Sequence, residues 1–265
     1  MKISILACVL ALSAAVLPAF AADTSDTAKW LGTWKLDPSR SHLTGDTFAY
    51  SKLPDGQMHF SNGSAVKYDF AIDGKPYASN LDRTVVWTAS GDNVWNSVTS
   101  AHGAELYQTR TELASDNKSL TQTTTGTKPD GSPFKTISVY HRIAGYRGLV
   151  GEWQSIKVDL PAPDTFVISM PAPDTYRWSI PSYKEFVQGP ANGTDLPITG
   201  PTIPSGITLS CKILSPSRLF YVIKAKGQPL AYQTQIFAPD GKSFTEVDWD
   251  AGKPTEKLTA VYIRQ

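Results

Sequence analysis

Along most of this chain apolar, aromatic and β-branched residues come in short runs, broken by turn residues, with almost no helical period. The runs 58–60, 66–72, 83–88, 93–99, 105–113, 119–125 and 135–141 predict strands. Dipeptides such as Asp73-Gly74 and Asp130-Gly131 predict the turns between them. The helix-like stretch at 25–31 amounts to a single turn at best. Many short strands at this spacing predict an all-β protein, as a sandwich or a barrel.

The strand pattern occurs twice. Gly32-Thr33-Trp34 returns as Gly151-Glu152-Trp153, and Asp73-Gly74-Lys75-Pro76 as Asn192-Gly193-Thr194-Asp195. Tyr107-Gln108-Thr109 aligns with Tyr232-Gln233-Thr234, and the run from Ser115 to Thr121 with that from Pro239 to Thr245. Each half closes on Val-Tyr-x-Arg, with Val139, Tyr140 and Arg142 in the first and Val261, Tyr262 and Arg264 in the second. Two long copies predict a tandem duplication rather than a solenoid. The division is a first barrel over 22–145 and a second over 146–265, joined at 144–149. Within the second copy, Pro161-Ala162-Pro163-Asp164-Thr165-Phe166 is followed at once by Pro171-Ala172-Pro173-Asp174-Thr175-Tyr176. Proline and aspartate are turn residues, so this near-repeat predicts a hairpin with arms at 166–170 and 177–180.

These residues carry a family resemblance. Each half resembles a lipocalin-like (calycin) β-barrel, in which a Gly-x-Trp near the first strand packs under an arginine from the end of the last. The opening from Gly32 to Ser41, the Asp73 to Tyr77 turn and the run from Lys118 to Gly131 are similar to secreted bacterial lipocalin-like proteins of unassigned function. The second copy departs from the pattern after its tryptophan and has Thr194 where the first has Lys75. The resemblance implies two tandem lipocalin-like antiparallel β-barrels. It pairs Trp34 with Arg142 and Trp153 with Arg264 as structural closures, and implies a cup for an apolar small molecule.

Met1-Lys2, the apolar run 3–20 and Ala19-Phe20-Ala21 form a signal-peptide pattern over 1–21, with cleavage near Ala21. It predicts a periplasmic or secreted protein with no membrane span in the mature chain. With Lys2 removed, the 25 basic residues fall level with the 24 acidic ones, and no basic run tracks phosphates, which argues against nucleic acid. At 41% hydrophobic and 18% charged, the composition is that of a folded chain. Cleavage leaves one cysteine, Cys211, in a strand-like run where a buried small hydrophobe is expected rather than a nucleophile.

Catalytic and metal motifs do not emerge. His42, His59, His102 and His141 all fall in the first copy without ligand spacing, and there is no nucleophile elbow or phosphate loop, so no metal and no cofactor are expected. Gln108, Arg110 and Glu112 share one side of a strand. Facing inward they would bind a polar ligand, and facing outward they are an ordinary charged face. Asp248-Trp249-Asp250 is open in the same way. Aromatic residues in predicted strands are the better candidates for a ligand wall: Tyr68, Trp87, Trp95 and Tyr107 in the first copy, Trp178, Tyr221 and Tyr232 in the second. The expected function is an exported protein that binds an apolar or aromatic small molecule through Tyr68, Trp87, Trp95, Arg110, Glu112, Trp178 and Tyr221. The alternatives are an enzyme (lyase, isomerase or hydrolase) on the same scaffold, using Glu112, Arg110 or a histidine, and an envelope interaction or inhibitor module. The oligomeric state is left open.

Overall fold

A computed structural model of the protein describes residues 29–265; the signal-peptide pattern at 1–21 and its cleavage site lie outside them. Twenty strands follow in chain order: β1 (Gly32–Leu36), β2 (Thr47–Lys52), β3 (Met58–Ser61), β4 (Lys67–Phe70), β5 (Pro76–Ser79), β6 (Arg83–Gly91), β7 (Val94–Ala101), β8 (Ala104–Leu113), β9 (Ser119–Thr127), β10 (Pro133–Ala144), β11 (Gly151–Asp159), β12 (Thr165–Ala172), β13 (Thr175–Ile180), β14 (Glu185–Gly189), β15 (Asn192–Pro197), β16 (Ile207–Ser215), β17 (Arg218–Ala225), β18 (Gln228–Phe237), β19 (Ser243–Asp250) and β20 (Lys257–Arg264). The seven runs expected from the sequence are β3, β4 and β6 to β10, with ends moved by a few residues. All pairings are antiparallel, and the strands form two ten-stranded sheets, each curled into a nearly closed barrel. The all-β, two-barrel expectation holds.

The boundary between the barrels falls elsewhere than expected. The sheet orders are β4-β3-β2-β11-β10-β9-β8-β7-β6-β5 and β14-β13-β12-β1-β20-β19-β18-β17-β16-β15. The first unit is therefore Leu43–Ala162, and the second is Pro163–Gln265 together with residues 29–42. In place of 22–145 and 146–265, each repeat gives its opening strand to the other unit's sheet. The pairing of tryptophan and arginine changes with it. Arg142 lies opposite Trp153, with its guanidinium 4.1 Å from the ring centroid, and Arg264 lies opposite Trp34, at 4.2 Å. The short link 145–150 explains the exchange: it folds β11 straight back onto β10, a closure of low entropic cost. The place beside β20 is then filled by β1.

The two closures are built alike. The indole N–H of Trp34 donates to Trp30 O and that of Trp153 to Leu149 O, both at 3.0 Å. Arg142 donates to the carbonyls of Asn117, Gly148 and Val150, and Arg264 to those of Gly241, Leu31 and Lys29. The glycine of each Gly-x-Trp is dictated by this arrangement. Gly32 and Gly151 both have φ +148°, and a Cβ at Gly151 would lie 2.5 Å from both Ala144 O and Arg142 Nη1.

In the second unit, β12 and β13 make the expected hairpin, with Asp174 at φ 54° in its turn. Along strands such as β7 and β17 alternate residues face inward. The first interior gathers Phe48, Tyr50, Phe70, Trp87, Trp95, Leu120 and Trp153; the second gathers Trp34, Ile168, Trp178, Cys211, Tyr221, Phe237 and Phe244. Cys211 is fully buried and burial pushes its thiol up, in line with an inert core residue.

Candidate functional site

Inside the first barrel the strand register lines up Trp87, Ser97, Thr109 and Thr124 in one row across β6 to β9, and Trp95, Thr111 and Gln122 in the next. The hydroxyls of Thr109 and Thr124 meet at 3.0 Å. Trp87 stacks on Phe70 at 4.7 Å, and Tyr50 meets it edge-on. Burial pushes the phenols of Tyr50, Tyr68 and Tyr140 up, so all three stay protonated at neutral pH. In these two rows Trp87 Nε1 and Thr111 Oγ1 are buried without a hydrogen bond. The Trp87 N–H lies beside the Tyr68 phenol without reaching bonding geometry.

The second interior is different chemically. Across β17, β18 and β19 the register sets Leu219, Gln235 and Glu246 in one row and Tyr221, Gln233 and Asp248 in the next. The Tyr221 hydroxyl donates to Gln235 Oε1 at 2.7 Å, and Gln235 Nε2 donates to Glu246 Oε2 at 2.8 Å. Glu246 and Asp248 are 4% and 5% exposed, so both carboxyl groups belong to the barrel interior. Desolvation pushes the Glu246 carboxyl up to about 7, opposed by hydrogen bonds with Gln235, Gln233 and Asp248. Desolvation therefore keeps a proton on Glu246 up to about neutrality, with the Asp248 carboxyl two residues along the same strand face. Tyr262, on β20, is pushed up by burial and then by Glu246, Asp248 and Asp164. Trp178 meets Tyr221 edge-on at 6.1 Å, and its buried N–H lies beside that phenol without a hydrogen bond. A carboxyl group poised near neutrality can exchange a proton or neutralise a cation.

The expected site residues are thus divided among three places. Tyr68, Trp87 and Trp95 share the first interior, while Trp178 and Tyr221 share the second. Arg110 and Glu112 are on the outer face, paired with each other at 2.9 Å, so they line neither interior. Their parity is set by Thr109, Thr111 and Leu113, which are the buried set of β8. The histidines do not converge either. His42 belongs to the second unit, bridged to Thr259, and His102 occupies a turn at φ 50°. His59 Nδ1 lies 2.5 Å from Asp69 Oδ1, with Ser51 as its other cross-strand neighbour, but this row is on the solvent side where nothing excludes water. Among the described residues no group of three or more His, Cys, Asp or Glu is placed to hold a metal ion. No helix among them is long and apolar enough to cross a membrane.

Glu246 and Gln235 were not among the expected site residues, and the reason is parity. In Thr245-Glu246-Val247-Asp248-Trp249-Asp250, burying Val247 and Trp249 and exposing the acids is the natural reading. The structure instead buries the acids, because Phe244 is in the core and Glu246 and Asp248 share its face; Val247 is half-buried on the other face, where Trp249 is buried too, with Lys257 at 4.8 Å over its ring. Phe244 itself was the usable signal. The repeat alignment also slips by one residue in this region. Leu113 pairs with Leu120 and Phe237 with Phe244, so Thr109 corresponds to Gln233 rather than Thr234. Tyr107 shares the inner face of Thr109, whereas Tyr232 stacks on Phe220 on the outer face. A one-residue slip in a strand exchanges its two faces.

Fold and interior together define an all-β protein of two nearly closed antiparallel barrels, each shut by an arginine over a buried tryptophan. No family model matches the chain, and no match to it is found among curated proteins or among solved structures.

Proposed function

We propose that this is a small-molecule-binding protein that holds its ligand inside a barrel, on the lipocalin-like plan. The observation that carries this reading is the set of buried polar atoms without partners on aromatic inner walls: Trp87 Nε1 and Thr111 Oγ1 in the first unit, Trp178 Nε1 in the second. An unmet buried donor costs about 1–3 kcal/mol, which a bound acceptor would recover. The ligand is then an aromatic or apolar body carrying polar groups, rather than a plain hydrocarbon. The lipocalin-like assignment draws its support from the Gly-x-Trp under arginine in each barrel. Export after cleavage near Ala21, to the periplasm or beyond, belongs to the same proposal and rests on the sequence of residues 1–21. A second reading, an acid–base enzyme on the same scaffold, is favoured by the protonatable Glu246 inside the second barrel rather than by Arg110, Glu112 or a histidine.

The test is native mass spectrometry of protein purified without refolding, set against the same sample denatured. A releasable mass of a few hundred daltons is expected. Trp87→Phe or Trp178→Phe, each removing one N–H, should reduce its occupancy and so identify the barrel that holds it. Apo protein that also fails to take up any member of a small-molecule library would overturn the reading.

A further inference from the structure

We propose that residues 200–205 are a lid on the second barrel, a strap that fills the barrel's mouth with its own apolar side chains and lifts to uncover the wall beneath.

The repeats differ in one connection. β5 and β6 are joined by three residues, Asn80-Leu81-Asp82, whereas the corresponding strands β15 and β16 are joined by nine, from Ile198 to Gly206, six more than the turn needs. This longer link lies at the end of the barrel away from the arginine closure. β16 starts at Ile207 beside the link and ends at Ser215, next to Pro216, whose carbonyl accepts from the Trp30 indole at 2.8 Å. Trp30 O in turn accepts from Trp34, so the Ser215 end is the closed one.

The added residues cover the open end. Ile207, Ile223 and Ala231 form a small buried cluster there, and Ile198 and Ile203 from the link pack against it. Pro204 is buried as well. Both ends of the link are anchored. Thr199 exchanges two backbone hydrogen bonds with Phe186, at 2.8 and 2.9 Å, and Gly206 O accepts from Lys226 N at 2.9 Å. Between the anchors, Thr202 Oγ1 donates to Glu185 Oε1 at 2.6 Å, and a Cβ at Gly200 would stand 2.5 Å from Glu185 Cγ. The strap is thus seated on a single residue of β14. Pro201 and Pro204 stiffen it, while Gly200 and Gly206, the latter at φ +73°, flank the stiff part as hinges.

A short segment of this kind, resting on a small satellite cluster, opens at a lower free energy than the whole barrel. Lifting it takes Ile203 and Pro204 off Ile207, Ile223 and Ala231. The apolar concavity left at the mouth exists only in the open state. Under the small-molecule reading above it is the way in for a ligand, but the opening itself does not depend on that reading.

The experiment is thiol labelling of the whole protein carrying Ala231→Cys with iodoacetamide, read site by site by peptide mass spectrometry beside denaturant melts. Ala231 and Cys211 are both fully buried, but Ala231 belongs to the mouth cluster and Cys211 to the main core, so Cys211 is the internal control. The introduced thiol should react at least tenfold faster than Cys211. Thr202→Val removes the bond to Glu185 with little change of shape, and should speed the introduced thiol by about tenfold while leaving Cys211 and the melt unchanged. Gly200→Ala, which presses a methyl against Glu185, should act in the same direction. Equal rates at the two thiols, both following global unfolding, overturn the lid. So does a mouth thiol that responds to neither variant. If Ala231→Cys does not fold, hydrogen exchange decides: protection of the Ile203 N–H, which donates to Gly200 O, should fall in Thr202→Val with β17 unchanged. No change at Ile203, or a loss spread over β16 to β18, overturns the inference, and the native mass measurement judges the binding reading separately.

Discussion

The two barrels offer the same four inner positions to different side chains. Where the first has Thr109, Thr111, Gln122 and Thr124, the second has Gln233, Gln235, Glu246 and Asp248. Thr109 and Thr124 satisfy each other's hydroxyls, Thr111 leaves its own without a partner, and all three side chains are neutral at every physiological pH. Longer amides and acids reach further and form a chain from Tyr221 through Gln235 to Glu246, which ends on a group that titrates. The backbone and the arginine closure are held in common, so the difference in chemistry lies in side-chain choice at matched register. A duplicated barrel can keep one interior neutral while the other acquires charge.

The comparison can be broken most forcefully at the closures. Trp153→Ala should destabilise the unit Leu43–Ala162, although Trp153 comes from the second repeat, and the loss expected for a fully buried tryptophan is about 3–5 kcal/mol. Amide hydrogen exchange should show protection falling in β2 to β11 and holding in β16 to β20. Loss of protection in the second set instead would refute the strand exchange.

A smaller effect should separate the interiors by pH. Glu246 has its folded value raised to about 7, above the ordinary 4.3 or so of an unfolded glutamate, so between these values the folded state binds more protons than the unfolded one. The stability of the second unit should therefore decline as pH rises through this window and level off above 7. Denaturant melts followed at several pH values would show the decline, and Glu246→Gln should flatten it. The first unit, with Gln122 at the matching position, should lack this contribution.

The mildest test concerns Thr111, whose buried hydroxyl has no partner. Thr111→Val removes that group with little change of shape and should leave the first unit as stable or more stable, by up to about 1 kcal/mol. A clear destabilisation in a denaturant melt would mean that the hydroxyl is hydrogen-bonded after all.

Much of this fold was legible because strand signals are local. The runs that became β3, β4 and β6 to β10 were delimited by their own turn residues, and the proline-marked hairpin of β12 and β13 needed no distant partner. Even the outer position of Arg110 and Glu112 followed one of the two parities left open. The interior acids were harder to see. An isolated strand offers two faces of equal standing, and in β19 the hydrophobic pair Val247 and Trp249 argued for the wrong one.

By itself, then, the sequence determined an all-β chain, a twofold repeat, and a glycine, tryptophan and arginine set for each barrel, since turn chemistry, alternation and repetition are written in neighbouring residues. Only the tertiary structure decided which arginine covers which tryptophan and which face of β19 is buried. Both depend on pairings between strands far apart in the chain. The short 145–150 link favours β10 with β11, so β1 completes the sheet beside β20. The packing of Phe244 against Trp34, Phe237 and Tyr262 then turns Glu246 and Asp248 inward.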